Sequence, residues 1–116
     1  MLFRSRGFVR ALRDPVVAPA MAAIHRAPEE HWTVGELATA SRVSPSLLDD
    51  RFRIVLGMPP IRYLTTWRMH VAQDLLATSD LGVAAIARRV GYESEEAFSR
   101  AFKRKHGVAP SVWRRG

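Results

Sequence analysis

Apolar residues recur at three- and four-residue spacings along most of the chain, and no convincing strand pattern interrupts them, so the spacing predicts helices throughout. Val83, Ile86, Ala87 and Val90 fall on one face of a short helix. Gly91 follows where that helix must stop and the chain must enter a left-handed turn, which glycine does without steric cost. Ser94 is placed to cap a second helix, with Glu95 and Glu96 in its first turn. Phe98 and Phe102, four apart, mark its buried side, and Arg100, Lys103 and Arg104 lie elsewhere on its circumference. A helix, a short turn with glycine and a second helix carrying exposed cations outline a helix-turn-helix. An ordinary helical hairpin of an all-α domain shares that outline.

The pattern occurs twice. Val34, Leu37 and Ala38 match Val83, Ile86 and Ala87 at an offset of 49, while Ser44, Phe52, Gly57 and Pro60 match Ser94, Phe102, Gly107 and Pro110 at an offset of 50. The slip falls in the turn, at Glu93, where an insertion is tolerated. Around the repeats, Asp14-Pro15 caps and starts a helix to about Arg26, with Pro19 moving its true start to about Val17. Thr33 and Glu36 form a capping box, and Ser44-Pro45 opens a helix through Leu56. After Met58-Pro59-Pro60, a helix without internal Gly or Pro runs from Ile61 to about Ala77, roughly 25 Å at 1.5 Å per residue. Its apolar side is read as Ile61, Leu64, Val71 and Leu75, widened by Trp67 and Leu76. A last short helix is expected at Pro110–Trp113. The expectation is an all-α fold of seven helices, with the repeated helix-turn-helix outline on either side of the long helix. Its parts are a basic lead-in over 1–16 (with Arg4, Arg6, Arg10 and Arg13), subdomains over 17–60 and 79–116, and the connector over 61–78.

Composition narrows the function. The net charge of +7 favours a polyanionic partner. That charge is uneven: residues 79–116 carry eight cations against four carboxylates, whereas 32–56 are neutral. With no cysteine there are no disulfides, thiolate metal sites or cysteine nucleophiles, which fits a cytoplasmic protein. No apolar run has the length of a membrane span, and the Arg-rich start lacks a signal peptide's apolar core. His25, His31, His70 and His106 have no metal-ligand spacing, and neither an activated nucleophile nor a Gly-rich phosphate loop is present. Catalytic residues, metals and cofactors are accordingly expected to be none.

Three motifs carry a family resemblance: Arg68-Met-x-x-Ala72-x-x-Leu75-Leu76; Ile86-Ala87-x-x-Val90-Gly91-Tyr92; and Phe98-Ser-Arg-Ala-Phe102-Lys-Arg-x-x-Gly107-x-x-Pro110. Together they resemble the AraC/XylS family of bacterial transcription regulators over about residues 32–114. The segment Arg10-Ala-Leu-Arg-Asp-Pro15 through Ile24-His25-x-x-Pro28 is similar to the joining segment of members with an N-terminal cupin-like sensor domain. The resemblance implies a homeodomain-like fold of two helix-turn-helix subdomains joined by a long connector helix, and sequence-specific binding to double-stranded promoter DNA, usually activating transcription through RNA polymerase. It also implies a sensor domain missing from this sequence, unless the protein is a stand-alone regulator. A helix-turn-helix normally dimerises to place two recognition helices about 34 Å apart in the major groove. An internal repeat spaced by a rod would let a monomer do so, with recognition helices at about 44–56 and 94–106.

The positions matching the family's base-facing ones are Glu95, Glu96, Ser99 and Arg100, with Ala97 able to touch a thymine methyl. Arg100 suits guanine N7 and O6. Glu95 and Glu96 either accept from cytosine N4 or merely satisfy the helix N-terminus. Ser94, Lys103 and Arg104 are assigned to phosphate. In the first repeat the corresponding base-reading positions are Ser46, Asp49 and Asp50, with Pro45 and Arg53 on phosphate, and backbone amides at Thr33 and Gly82 are further phosphate candidates. Asp50 stands where the family commonly has arginine, and Arg42 stands at the turn position of Gly91. The second repeat is therefore expected to supply most of the affinity, the first being weak or selecting an unusual base. Arg68 is read as a brace, and Trp32, Trp67 and Trp113 as core or interface aromatics rather than base-stacking platforms. The rival reading is a protein-interaction module of the same fold with weak or lost DNA binding, for which Asp49 and Asp50 speak.

Overall fold

The computed structural model describes Phe3 and residues 5–116; Arg4 of the basic lead-in lies outside them. Eight helices and no strand are found among these residues: α1 (Arg6–Arg13), α2 (Val17–Arg26), α3 (Val34–Ser41), α4 (Pro45–Leu56), α5 (Pro60–Thr78), α6 (Val83–Arg89), α7 (Glu95–His106) and α8 (Pro110–Arg115). The all-α expectation holds, but with eight helices instead of seven. The added one, α1, falls in the stretch read as a lead-in. Ser5 Oγ caps it by accepting from Phe8 N–H (3.1 Å), and Ala11 is fully buried. Gly7 lets α1 approach α4 so closely that a Cβ there would lie 2.8 Å from the Val55 carbonyl oxygen. Eight residues with a glycine in the first turn give too short a periodicity to read, and the partner that stabilises them is far away in sequence.

The chain divides into two compact units. One comprises the described residues up to Ala27 together with His31–Thr65. Its core gathers Val17, Met21 and Ile24 of α2, Leu37 and Ala38 of α3, Leu48, Phe52 and Leu56 of α4, and Tyr63 from the first turns of α5. Tyr63 is wholly buried, 5.9 Å from Phe52 between ring centroids, and a 2.6 Å hydrogen bond joins its Oη to His25 Nε2. Burial pushes the Tyr63 phenol's pKa up, so the hydroxyl keeps its proton.

Asp14 fastens this unit. Its Oδ1 accepts from Val16 and Val17 N–H, both at 2.9 Å, so that α2 begins where Pro19 occupies the first turn and forfeits no helical bond. Its Oδ2 accepts from Arg51 of α4. Burial alone would raise the Asp14 pKa, but the Arg51 hydrogen bond, the two backbone N–H groups and the Arg51 charge together hold it below its ordinary 3.8. A depressed carboxylate stabilises the fold above its unfolded pKa, and the contribution disappears as the pH falls through the lower folded value. Asp14→Ala should therefore lose about 1–3 kcal/mol at neutral pH in urea denaturation. The gap to the parent should close on acidification below about pH 4; an unchanged gap there would show that the carboxylate's charge contributes nothing.

The other unit comprises Pro28–Glu30 and Thr66–Gly116. Met69, Ala72 and Leu76 of α5, Ile86, Ala87 and Val90 around α6, and Phe98, Ala101 and Phe102 of α7 form its core, with Tyr92 and Trp113 packed against it. Here α5 differs from the single apolar side read in the sequence. Ile61 is 38% exposed and Val71 and Leu75 are half-buried, because the helix serves two cores in succession: Tyr63 and Leu64 in one, Met69, Ala72 and Leu76 in the other. The repeat also extends further than the sequence indicated. Phe102 meets Trp113 edge-on at 6.0 Å, at the same offset of 50 as Phe52 and Tyr63, so the first turns of α5 correspond to α8.

Arg114 closes the C-terminal end of α5 in this unit, donating to the carbonyls of Leu76 (3.0 Å), Leu81 (2.7 Å) and Ser79 (3.2 Å). Leu76 O is one of the carbonyls a helix end leaves without partners, and Ser79 and Leu81 belong to the loop that follows. Arg68 does the same for the Pro28–Glu30 strap: its Nε donates to Pro28 O (2.7 Å) and its Nη2 to Glu30 O (2.8 Å).

Candidate nucleic-acid interface

In α7 the N-cap forms as expected, with Ala97 N–H donating to Ser94 Oγ (3.0 Å) and Glu95 and Glu96 in the first turn. Phe98, Ala101 and Phe102 turn inward, so the helical period turns Glu96, Arg100, Lys103 and Arg104 outward, and all four are exposed. Ala97 and Ser99 flank that stripe and are half-buried. The side chains of Arg100, Lys103 and Arg104 make no hydrogen bond or ion pair among the described residues, although the Arg104 charge reaches the Tyr92 phenol. Lys105 and His106 complete the last turn. His106 stacks 4.3 Å from the Phe102 ring; burial, and then the neighbouring Lys105 charge, hold its pKa below the usual imidazole value.

The same construction in α4 presents a different chemistry. Leu47 N–H donates to Ser44 Oγ (3.2 Å), Pro45 opens the helix, and Leu48, Phe52 and Leu56 turn inward. The outward stripe is Ser46, Asp50, Arg53 and Ile54, at an offset of 50 from Glu96, Arg100, Lys103 and Arg104. Asp49 is half-buried and accepts from Arg53 Nε at 2.7 Å, so a base-reading candidate and a phosphate candidate of the sequence are joined to each other. Ile54 is 71% exposed where its counterpart is Arg104, and Leu47 beside it is 43% exposed.

The helix starts differ too. Thr33 and Glu36 form the expected capping box, with Glu36 N–H donating to Thr33 Oγ1 (3.1 Å) and Thr33 N–H donating to Glu36 Oε1 (3.0 Å). The Thr33 amide is therefore occupied by a carboxylate, which a phosphate would have to displace. Gly82 is exposed at the N-cap of α6 and makes no side-chain cap. Arg88 and Arg89, exposed in the last turn of α6, and exposed Lys105 are cations that the sequence reading did not assign. The doublet's position just before the Gly91 turn is a signal that could have found them.

The comparisons with known proteins agree with this construction. A family model described as a helix-turn-helix domain matches residues 37–116. A Streptomyces antibioticus protein named as an AraC-like transcription regulator is 46% identical over 94% of this chain, which in turn spans only 36% of that relative's length. The DNA-binding domain of AdpA, a global transcriptional factor solved with a target DNA, superposes with a TM-score of 0.78 at 35% identity, covering 87% of this chain and 90% of that one. The C-terminal domain of AraT, a response regulator from Geobacillus stearothermophilus, superposes at 0.76 with 32% identity over 96% and 85% of the two chains. No helix among the described residues is long and apolar enough to cross a membrane. With two capped helix-turn-helix repeats and the family model matched across both recognition helices, this chain belongs to the AraC/XylS family of transcription regulators and forms a DNA-binding domain of that family.

Proposed function

We propose that this domain binds double-stranded promoter DNA sequence-specifically by laying α4 and α7 into successive stretches of the major groove, and that it activates transcription through contact with RNA polymerase in the cytoplasm. The observation that carries the reading is the uncommitted outward stripe of α7, with Arg100, Lys103 and Arg104 exposed opposite an aromatic core. Arg100 reads guanine, Lys103 and Arg104 hold phosphate with Ser94 and Gly82, and Glu95, Glu96, Ala97 and Ser99 tune base choice. Ser46, Asp49 and Asp50 are the base-facing set of α4, with Thr33, Pro45 and Arg53 towards phosphate. Relatives more than twice as long as this chain support a further sensor domain in the full protein.

Selection from a random duplex pool tests this directly: enrichment of one asymmetric site supports it, and a pool that stays random overturns it. On the selected site, Arg100→Ala should weaken binding by about 1–3 kcal/mol and relax preference at one base pair. Asp50→Arg should tighten binding generally and steepen the plot of log K against log salt by up to about 0.9. An unchanged affinity in that variant would mean that α4 does not meet DNA. The exposure of Leu47 and Ile54 favours a second reading in which α4 faces a protein. Pull-down of RNA polymerase without duplex enrichment would establish it.

A further inference from the structure

Residues 32–56 hold three cations, Arg42, Arg51 and Arg53. Two are committed within the fold: Arg51 donates to Asp14, and Arg53 donates to Asp49. Arg42 alone is exposed with no hydrogen bond or ion pair to its guanidinium among the described residues. Its backbone is also unusual. At φ 57° and ψ 40° it is the one residue other than glycine with positive φ among the described residues. At the matching position of the other repeat stands Gly91, also at positive φ. The conformation at Arg42 is held by the end of α3, where Arg42 N–H donates to Thr39 O and Val43 N–H to Ala38 O, both at 3.1 Å. Glycine would satisfy those bonds without a Cβ penalty. Nothing inside the unit calls for a long cation there.

We propose that Arg42 is a DNA-phosphate contact of the first helix-turn-helix. This rests on the reading of the domain as a duplex binder. When a recognition helix enters the major groove, the helix before it crosses the sugar–phosphate chain, so the turn between them runs beside phosphates. The second repeat can leave that position neutral because Arg88, Arg89, Lys103 and Arg104 surround its own turn and recognition helix in sequence. The first repeat has no such surplus. Its helix α4 offers Asp50 outward, and its other two arginines share their charge with carboxylates, so Arg42 is the cation of residues 32–56 with its full charge left for the backbone.

Three variants of the chain on its selected duplex decide the matter. Both R42G and R42N, whose new residues accept positive φ, should unfold at the same or a higher temperature. Both should bind roughly 5-fold more weakly on every sequence, with the slope of log K against log salt shallower by about 0.9. R42K should keep the parent slope. Unchanged affinity and slope in R42G and R42N, while Arg100→Ala still weakens binding, overturns the inference and leaves the function standing. Losses of stability and affinity together that R42K does not restore make Arg42 a structural residue and also overturn it. A parent chain that enriches no duplex overturns the reading beneath it instead.

Discussion

Phe102→Ala should remove about 3–5 kcal/mol of stability from the unit holding α7. Phe102 is fully buried and lies 5.8 Å from Phe98, 4.3 Å from His106 and 6.0 Å from Trp113 between ring centroids. Its truncation opens a cavity between two helices and strips the partner from three rings at once. Helix α8 has six residues, and Arg114 ties it to the carbonyls of Leu76, Ser79 and Leu81, so it cannot shift inward to fill the space without releasing those bonds. A unit of roughly fifty residues has a total stability of only about 3–8 kcal/mol, so this one change should leave much of it unfolded at 37 °C. Trp67 and Trp113 belong to this unit, and their fluorescence during urea unfolding reports the loss. Duplex affinity should fall with it, because the outward stripe of α7 exists only while Phe98, Ala101 and Phe102 hold the opposite face in. Phe102→Leu, which keeps most of the volume, should retain most of the stability; if it loses as much as alanine, ring stacking rather than cavity formation carries the effect.

What the sequence made legible was whatever repeats or recurs locally. The caps at Ser44 and Ser94, the Thr33–Glu36 box and the inward spacing of Phe98 and Phe102 are contacts within four residues, and each is found as read. What stayed hidden lies across tens of residues. Asp14 meets Arg51 and Arg68 meets Pro28 at separations of 37 and 40, and no periodicity encodes such pairs. The same is true of α1, which depends on Gly7 fitting against Val55. For the interface, the exposed cations of α7 followed from helical period alone. The commitment of Arg53 did not: read as a phosphate contact, it is paired with Asp49, as Arg51 is with Asp14.

Gly91→Ala should destabilise the same unit by about 2–4 kcal/mol, from two separable causes. The first is backbone: at φ 96° an L side chain is strained whatever surrounds it, at a cost of about 1–2 kcal/mol. The second is contact. An added Cβ would lie 2.8 Å from Arg68 Nη2 and 3.0 Å from the Glu29 Cα. The Glu29 backbone is held in place by Arg68 itself, through the bonds to Pro28 O and Glu30 O, so neither neighbour can retreat without releasing the strap. Arg68 also lies over the Tyr92 ring, 5.9 Å from its centroid, immediately after the glycine. Displacing the guanidinium therefore loosens the turn that sets the start of α7 as well as the strap. A double-mutant cycle with Arg68→Ala separates the two causes. In the Arg68→Ala background the Gly91→Ala cost should shrink to about the backbone part alone, about 1–2 kcal/mol. Equal costs in both backgrounds would show that the guanidinium yields freely and that Gly91 serves only its dihedral angle. At the matching position of the first repeat Arg42 is exposed, so its positive φ of 57° carries only a backbone cost. That difference explains why arginine is tolerated at one turn and only glycine fits the other.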